Sequence, residues 1–506
     1  MNRLSPPRVR RFAAVLCCVA AGLALVVTNA PGPARAAGWR QVPPYAAGFP
    51  HLFWRTTDIR PREGALVAAD PDHDGSIELI ASVPSGVLTV VEADGLTRAG
   101  WPQRFGALPP PAWPAGRPGV GDLDGDGVDE IVTCVTAGAP ARRAFLVALR
   151  ADGADVPGWP VELTGAGAGA GCSPGATVVV DFDGDGRHEI VRAAGACLHA
   201  FDGSGRPLTG WPWKAPPDAW GRARPINADP IAADLDADGR PEIVVIESGY
   251  EPRLYAVDAG GRTAAHFPVP LGQVVDRQAP AAADVDGDGR AEIIQATLPF
   301  DGDFVAAPGA PPAATGAVAP GIESTGPGPI VPASLHMLRF DGAAAPGWPL
   351  ILGDGAVYGA LVADLEGRGR VSILQGDGDR VNGYDGGGGT LRGFPLVVHG
   401  LPRGAEARLD TPWSAADLDG DGSVDLLRVS GFVEAGEASL RVVGLRIPGG
   451  PARGYPFAVG GILPSSPVVA ADLTGDGVPE VVVLASEGTN GGWRLLAWDV
   501  AAGNGP

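Results

Sequence analysis

The chain has 506 residues, 45% of them apolar, with 77 glycines, 51 prolines and a formal net charge of −20. So apolar a composition excludes a disordered chain, and the glycine and proline suit many short strands joined by turns. The negative charge excludes binding to nucleic acid or an anionic membrane by charge alone.

The N-terminus reads as an export signal. Arg3, Arg8, Arg10 and Arg11 form a basic region, Phe12 to Val27 an apolar run, and Ala34-Arg35-Ala36 a small-residue cleavage site. The pattern predicts a signal peptide over 1–36 and a mature chain over 37–506 that is secreted to the periplasm, the cell surface or the medium. The apolar run is short and is followed by Pro31 and Pro33, so a membrane anchor is the weaker reading. Cleavage would remove five arginines (3, 8, 10, 11 and 35) and move the charge from −20 to −25. Cys134, Cys172 and Cys197 remain, an odd number in an oxidising compartment.

From residue 70 onward one acidic box recurs. It places Asp70, Asp72, Asp74 and Glu78 at positions 1, 3, 5 and 9 of a nine-residue segment. The same plan gives Asp122, Asp124, Asp126 and Glu130, then Asp181, Asp183, Asp185 and Glu189. Next come Asp234, Asp236, Asp238 and Glu242, and Asp284, Asp286, Asp288 and Glu292. Box six is degenerate: Asp364 and Glu366 are kept, but Arg368 and Ser372 fill positions 5 and 9. Box seven has Asp417, Asp419, Asp421 and Asp425, and box eight has Asp472, Asp476 and Glu480 with Thr474 at position 3. The spacings are 52, 59, 53, 50, 80, 53 and 55 residues, the mark of a repeat architecture.

Each unit follows one plan. Small residues lead into the box, an apolar β-branched run follows it, and an alternating segment such as RLYAVDA comes next. A Gly-aromatic-Pro signature ends the unit at Trp101, Trp159, Trp211, Phe267, Trp348, Phe394 and Tyr455, with His266 alone replacing the glycine. Four short strands in about 50 residues predict an all-β, single eight-bladed β-propeller of four-stranded blades; seven blades is the alternative. The last unit lacks the Gly-aromatic-Pro segment, whereas Gly48-Phe49-Pro50 precedes the first box. The N-terminal segment 39–56 is therefore expected to supply the outer strand of the last blade and close the ring. The 80-residue interval holds a low-complexity insertion at about 299–334, expected as a disordered loop between the second and third strands of blade five.

Side-chain oxygens at positions 1, 3, 5 and 9, a carbonyl at 7 and a glycine at 6 suit calcium better than zinc, copper or magnesium. An EF-hand needs a glutamate at position 12 and flanking helices, and neither is present. Plain polar hairpin turns would account for Asp-Gly but not for the repeated carboxylates. Six calcium ions are expected, seven if box eight binds and never eight, with Arg368 as a cation built into box six.

The segments DLDGDGVDEIV, DFDGDGRHEIV and DVDGDGRAEII resemble the FG-GAP/VCBS repeats of secreted bacterial proteins, a kind of repeat that also builds the propeller head of integrin α chains. The resemblance covers essentially the mature chain. It implies a β-propeller with calcium in hairpin loops on one face, and much less about function.

No metalloprotease, phosphate-loop or kinase motif appears. Gly171-Cys172-Ser173-Pro174-Gly175 matches G-x-S-x-G, but no helix follows it, so a nucleophile role is not expected. No catalytic residue is assigned. The connectors into the first strands carry Trp54, Trp113, Trp220, Arg222, Arg224 and Trp413 on the face opposite the boxes. These could stack and pair with a carboxylated glycan, or plug the gaps between blades. Two functions stay open. One is a monomeric, non-catalytic binding or adhesion module for an extracellular glycan or protein. The other is a polysaccharide lyase of the rhamnogalacturonan-lyase type. At most one disulfide is expected, with Cys172 as a member and Cys197 as the favoured partner over Cys134.

Deleting residues 39–56 is expected to unfold or polymerise the protein, because blade eight would then expose an unpaired edge. A stable monomer after that deletion, seen by size-exclusion chromatography, would refute ring closure by this segment.

Overall fold

The computed structural model describes Ala46, residues 51–53 and residues 64–500, apart from 165–170, 302–329, 399–406 and shorter breaks. The expected signal peptide, the start of the mature chain and Trp54 lie outside the described residues, as does most of the insertion. Among the described residues no helix is long and apolar enough to cross a membrane.

Eight antiparallel sheets follow one another around a ring, each built from one repeat. Blade three is representative: Val178–Val180, Glu189–Ala194, Cys197–Phe201 and Trp213–Lys214 pair in that order. In blade one, Ala65–Ala69, Glu78–Val83 and Val87–Val91 form the sheet, and a bridge from Leu88 to Gln103 marks the fourth position. Blade eight is completed across the ends of the chain, where His51–Phe53 pairs with Gly492–Trp498. The ring thus closes through the N-terminal segment, and the seven-bladed alternative falls.

Burial follows from this geometry. First strands are made of small or β-branched residues, half-buried, as in Ala281–Ala283. They stand nearest the axis, where bulk would collide. Second and third strands are covered on both faces by neighbouring blades, so Glu130–Ala137 and Cys197–Phe201 are buried throughout. The core is accordingly a set of eight apolar layers, one between each pair of adjacent blades. The layer between blades three and four holds Phe182, Leu198, Trp211, Trp213, Ile243 and Tyr255. The layer between blades eight and one joins Leu79 and Val87 to Val482 and Leu495 across the closure.

The Gly-aromatic-Pro signature rivets adjacent blades. Trp101, Trp159, Trp211 and Trp348 each donate their indole N–H to a carbonyl in the next blade: Ala151, Gly203, Ala259 and Gly386, at 2.9 to 3.0 Å. The preceding glycine sits with positive φ and presses on the next blade's backbone. Gly158 has φ 98°, and a Cβ there would lie 2.1 Å from the carbonyl oxygen of Ser204. The exception, His266, adopts φ 70°.

Two expectations need correction. The insertion in blade five does lie between Glu292–Ala296 and Ser334–Leu338, but its ends are not loop. Phe300–Asp301 pairs with Ile330–Val331 in a two-stranded ribbon, because the flanking strands are already antiparallel and hold the ends in register. The disulfide joins Cys134 to Cys172, with Cα atoms 6.0 Å apart, and Cys197 takes no part in it. The connector carrying Cys172 doubles back along blade two, where the Cys172 N–H donates to Thr136 Oγ1 at 2.9 Å. Cys134 points into the layer between blades two and three, towards that connector. Cys197 opens the third strand of blade three, with Glu189–Ala194 standing between it and the first strand that Cys172 leads into. Closing a loop of 38 residues stabilises by about 4 kcal/mol in the chain-entropy picture.

Gly158→Ala should cost at least about 2 kcal/mol, since it combines a positive φ with a clash against rigid backbone. Urea unfolding measures this; a variant as stable as the parent would show that the blades can slide apart without loss.

Candidate metal centres

Each box is the hairpin between the first and second strands of its blade, so the boxes crown one face of the ring. Position 1 organises the loop. Asp122 Oδ1 accepts the N–H groups of Gly125 (2.7 Å) and Asp126 (3.2 Å), and its Oδ2 accepts that of Gly127 (2.9 Å). Asp417 and Asp472 do the same in boxes seven and eight. Position 5 fixes the exit, as where Asp126 Oδ1 accepts the N–H of Val128 at 2.9 Å. Position 9 is the first residue of the second strand and is buried: Glu78 is 0% exposed and Glu130 1%. In boxes two to five and eight one of its oxygens accepts the N–H of position 2, as from Leu123 to Glu130 at 2.9 Å and from Leu473 to Glu480 at 2.7 Å; in box one position 2 is Pro71, which has no N–H to give.

The glycine at position 6 was legible in the sequence; the demand at position 4 was not drawn from it. Gly125, Gly184 and Gly287 have positive φ there, and so do His73 (56°) and Ala237 (62°). His73 is thereby carried out of its own box, with Nε2 3.4 Å from Asp129 of the next one. Backbone bonds also link neighbouring boxes, Asp129 N–H to Pro71 O at 2.8 Å and His188 N–H to Asp122 O at 3.0 Å.

Positions 1, 3 and 9 converge. Asp70, Asp72 and Glu78 each bring an oxygen within 4.8 Å of the others, as do Asp122, Asp124 and Glu130. Asp181, Asp183 and Glu189, Asp234, Asp236 and Glu242, and Asp284, Asp286 and Glu292 repeat the arrangement, and there is one further group. The position 5 carboxylates Asp74, Asp126, Asp185, Asp238 and Asp288 stand outside these five triads. In box six Asp364 accepts the Gly369 N–H at 2.5 Å, and Glu366 lies outside the described residues. In box eight Thr474 donates to Glu480 Oε1 at 3.2 Å, so that glutamate is satisfied within the protein.

The triads fit a cation. Asp72 Oδ1, Glu78 Oε1, Asp124 Oδ1, Asp419 Oδ1 and Asp425 Oδ2 are buried without a hydrogen-bond partner. An ionised carboxylate only accepts, so a positive ion is what such oxygens can take. The strain shows in protonation. Burial, reinforced by the aspartates of the same box, pushes Glu130, Glu189 and Glu242 up to about 7. Burial with Asp419 beside it does the same to Asp425, up to about 7. Burial and then Glu92 push Glu78 to about 8. Burial also raises Glu292 and Glu480.

Three boxes contain an arginine that sequence reading missed, since it arrives from the far side of the blade. Arg98 hydrogen-bonds Asp72 and lies 3.4 Å from Glu78 in box one. Arg150 reaches Asp124 at 3.3 Å in box two. Arg446 bonds Asp419 at 2.7 Å and Asp421 at 2.8 Å in box seven.

The opposite face is less open than its composition suggests. Trp113 lies beneath the Arg142 guanidinium at 5.5 Å, and buried Trp413 beneath that of Arg428 at 4.6 Å. Arg224 stands 3.8 Å from Asp218 and Arg117 3.2 Å from Asp229. Trp220 and Arg222 lie outside the described residues.

Residues 234–294, from the fourth box through most of the second strand of blade five, match the FG-GAP-like repeat family. Together with the ring of eight blades, this match is consistent with an FG-GAP repeat propeller. No curated protein matches the sequence. Among solved structures, the chain is similar to the V. cholerae biofilm matrix protein Bap1 at 14% identity, over 86% of this chain and 77% of that one, with a TM-score of 0.35. It is similar to BBS1N in complex with ARL6DN at 9% identity, over 89% and 97%, with a TM-score of 0.45. It is also similar to the Bacillus licheniformis rhamnogalacturonan lyase PL11 at 16% identity, over 87% and 90%, with a TM-score of 0.37.

The raised carboxylates give a pH signature with a definite sign. Unfolded glutamates titrate near 4.5, so below that pH both states are protonated and the burial cost is absent. As pH rises towards 7, the unfolded chain releases protons that the folded chain keeps, and stability falls. In chelator, the melting temperature should drop between about pH 5 and 8; added calcium should remove most of that drop. A melt insensitive to both pH and calcium would contradict the assignment.

Proposed function

We propose that the chain is an exported, calcium-loaded β-propeller that serves as a non-catalytic extracellular binding module for a glycan or protein. The observation that carries this reading is the repeated triad of carboxylates, each built around a buried position 9 oxygen donor. Oxygen-only ligands on a hairpin favour calcium, and ions that bind only the folded ring stabilise it by mass action. Each calcium brings two positive charges to a chain whose formal charge is −20. Loops of this extracellular kind bind at about 10⁻⁴ to 10⁻³ M, which suits a protein working outside the cell.

A binding role also agrees with the surfaces. The cavity between blades two and three, lined by Glu162, His199 and Phe201, holds about 110 Å³. A small-molecule site typically needs about 300 Å³ or more. Burial pushes His199 and His336 down to about 4, so neither is poised as a base near neutral pH.

Glycan-array screening in calcium, followed by incubation with pectic polysaccharides, tests this reading. Calcium-dependent binding without chain cleavage is expected. Release of products absorbing in the ultraviolet, as unsaturated uronides do, would replace the binding module with the lyase.

A further inference from the structure

We infer that Arg98 and Arg446 are built-in cations that hold boxes one and seven closed to metal at low concentration, so that the ring carries two classes of metal site. This rests on the reading of the boxes as metal centres.

In box seven the Arg446 Nη2 group donates to Asp419 Oδ2 at 2.7 Å and to Asp421 Oδ2 at 2.8 Å. It therefore bridges positions 3 and 5, as an ion would. In box one Arg98 donates to Asp72 Oδ2, and its Nη1 lies 3.4 Å from Glu78 Oε2. Its Nε is 3.3 Å from Glu92 Oε1, and the side chain is only 15% exposed. Asp72 and Glu78 are two of the three carboxylates of that triad. The guanidinium and a metal ion would thus compete for the same oxygens.

Arg98 is peculiar to its blade. Its N–H bonds Val90 O across the end of the third strand, and the residues making the same bond elsewhere are apolar: Val156, Leu208, Ala264, Ala345, Leu391 and Ala452. Arg446 occupies the place directly after the third strand. In blades three and four that place is Asp202 and Asp258, whose carboxylates accept N–H groups of their own turn. In blade five Arg339 occupies it, but stands 3.6 Å from Asp341 of its own turn. Arg150 of blade two is intermediate, with one contact of 3.3 Å to Asp124. Among the described residues, no arginine is within ion-pair distance of Asp183, Asp236 or Asp286. Boxes three, four and five, on consecutive blades, must then take a metal ion or stay repulsive, whereas in boxes seven and one an arginine already offsets part of the charge.

Native mass spectrometry and calorimetry on the full chain, titrated with calcium alone, test this. The parent should fill boxes three, four and five first. Arg446→Gln should tighten box seven by about tenfold, since two charge-assisted hydrogen bonds no longer have to be broken, and add one ion at calcium levels where the parent leaves that box empty. The same variant should melt lower than the parent in chelator and gain more from calcium. Arg98→Gln should act likewise at box one; because Arg98 is nearly buried, half-exposed Arg446 is the decisive position. One affinity class in the parent, or weaker calcium binding in Arg446→Gln, would overturn the competition while leaving the boxes as metal centres. A parent that binds no metal would overturn both.

Discussion

Everything in this molecule depends on covering both faces of every sheet. A four-stranded sheet of 50 residues cannot bury enough apolar surface alone, and its second and third strands are apolar on both sides. Eight such sheets solve the problem by stacking in a ring, where each face is the neighbour's partner. The solution works only if the ring closes. That is why the chain ends are joined, with His51–Phe53 against Gly492–Trp498, and why the layer between blades eight and one is as apolar as the others.

Close stacking has two local consequences. At the outer edge, the chain turns from the third strand to the fourth through a residue of positive φ, a glycine in every blade with this signature but blade four, where His266 adopts φ 70°, and where a tryptophan follows it caps a carbonyl of the next blade. At the box face, the second strand begins with a carboxylate already inside the layer. A buried carboxylate needs donors or a cation. In boxes two to five and eight one backbone N–H satisfies one oxygen; the rest of the demand falls on whatever positive charge reaches the loop. The boxes meet it in different ways: boxes one and seven in part with an arginine, which still leaves Glu78 Oε1 and Asp425 Oδ2 without a hydrogen-bond partner, box eight partly with a threonine hydroxyl, and boxes three to five with none of these. Repetition of sequence has produced eight sites of the same fold and unequal electrostatics.

The face opposite the boxes carries residue types that suit two roles. Aromatics and arginines gathered in the connectors suit either a glycan-binding surface or plugs between blades. The described members engage partners within the chain, Trp113 with Arg142, Trp413 with Arg428 and Arg224 with Asp218. Such pairs also plug the gaps between blades, a role that the same residue types fill equally well.

The sequence by itself determined the blade, the number of blades, the closure of the ring and the position of every box. These are local or periodic properties: alternation sets a strand, Asp-Gly sets a hairpin, and a period near 53 repeats both. Positive φ at position 4 was also written locally, in glycines that recur there. Tertiary structure alone decided three things. It chose Cys134 over Cys197 as the partner of Cys172, because the connector doubles back along blade two before entering blade three. It ordered the ends of the insertion as a ribbon, because the flanking strands hold them in register. It placed Arg98 and Arg446 in boxes that lie 26 and 27 residues before them. A side chain's neighbour across a blade depends on the length and rotamer of that side chain and on the path of the turn. None of these leaves a periodic trace in the chain, and so they become legible only once the strands are paired.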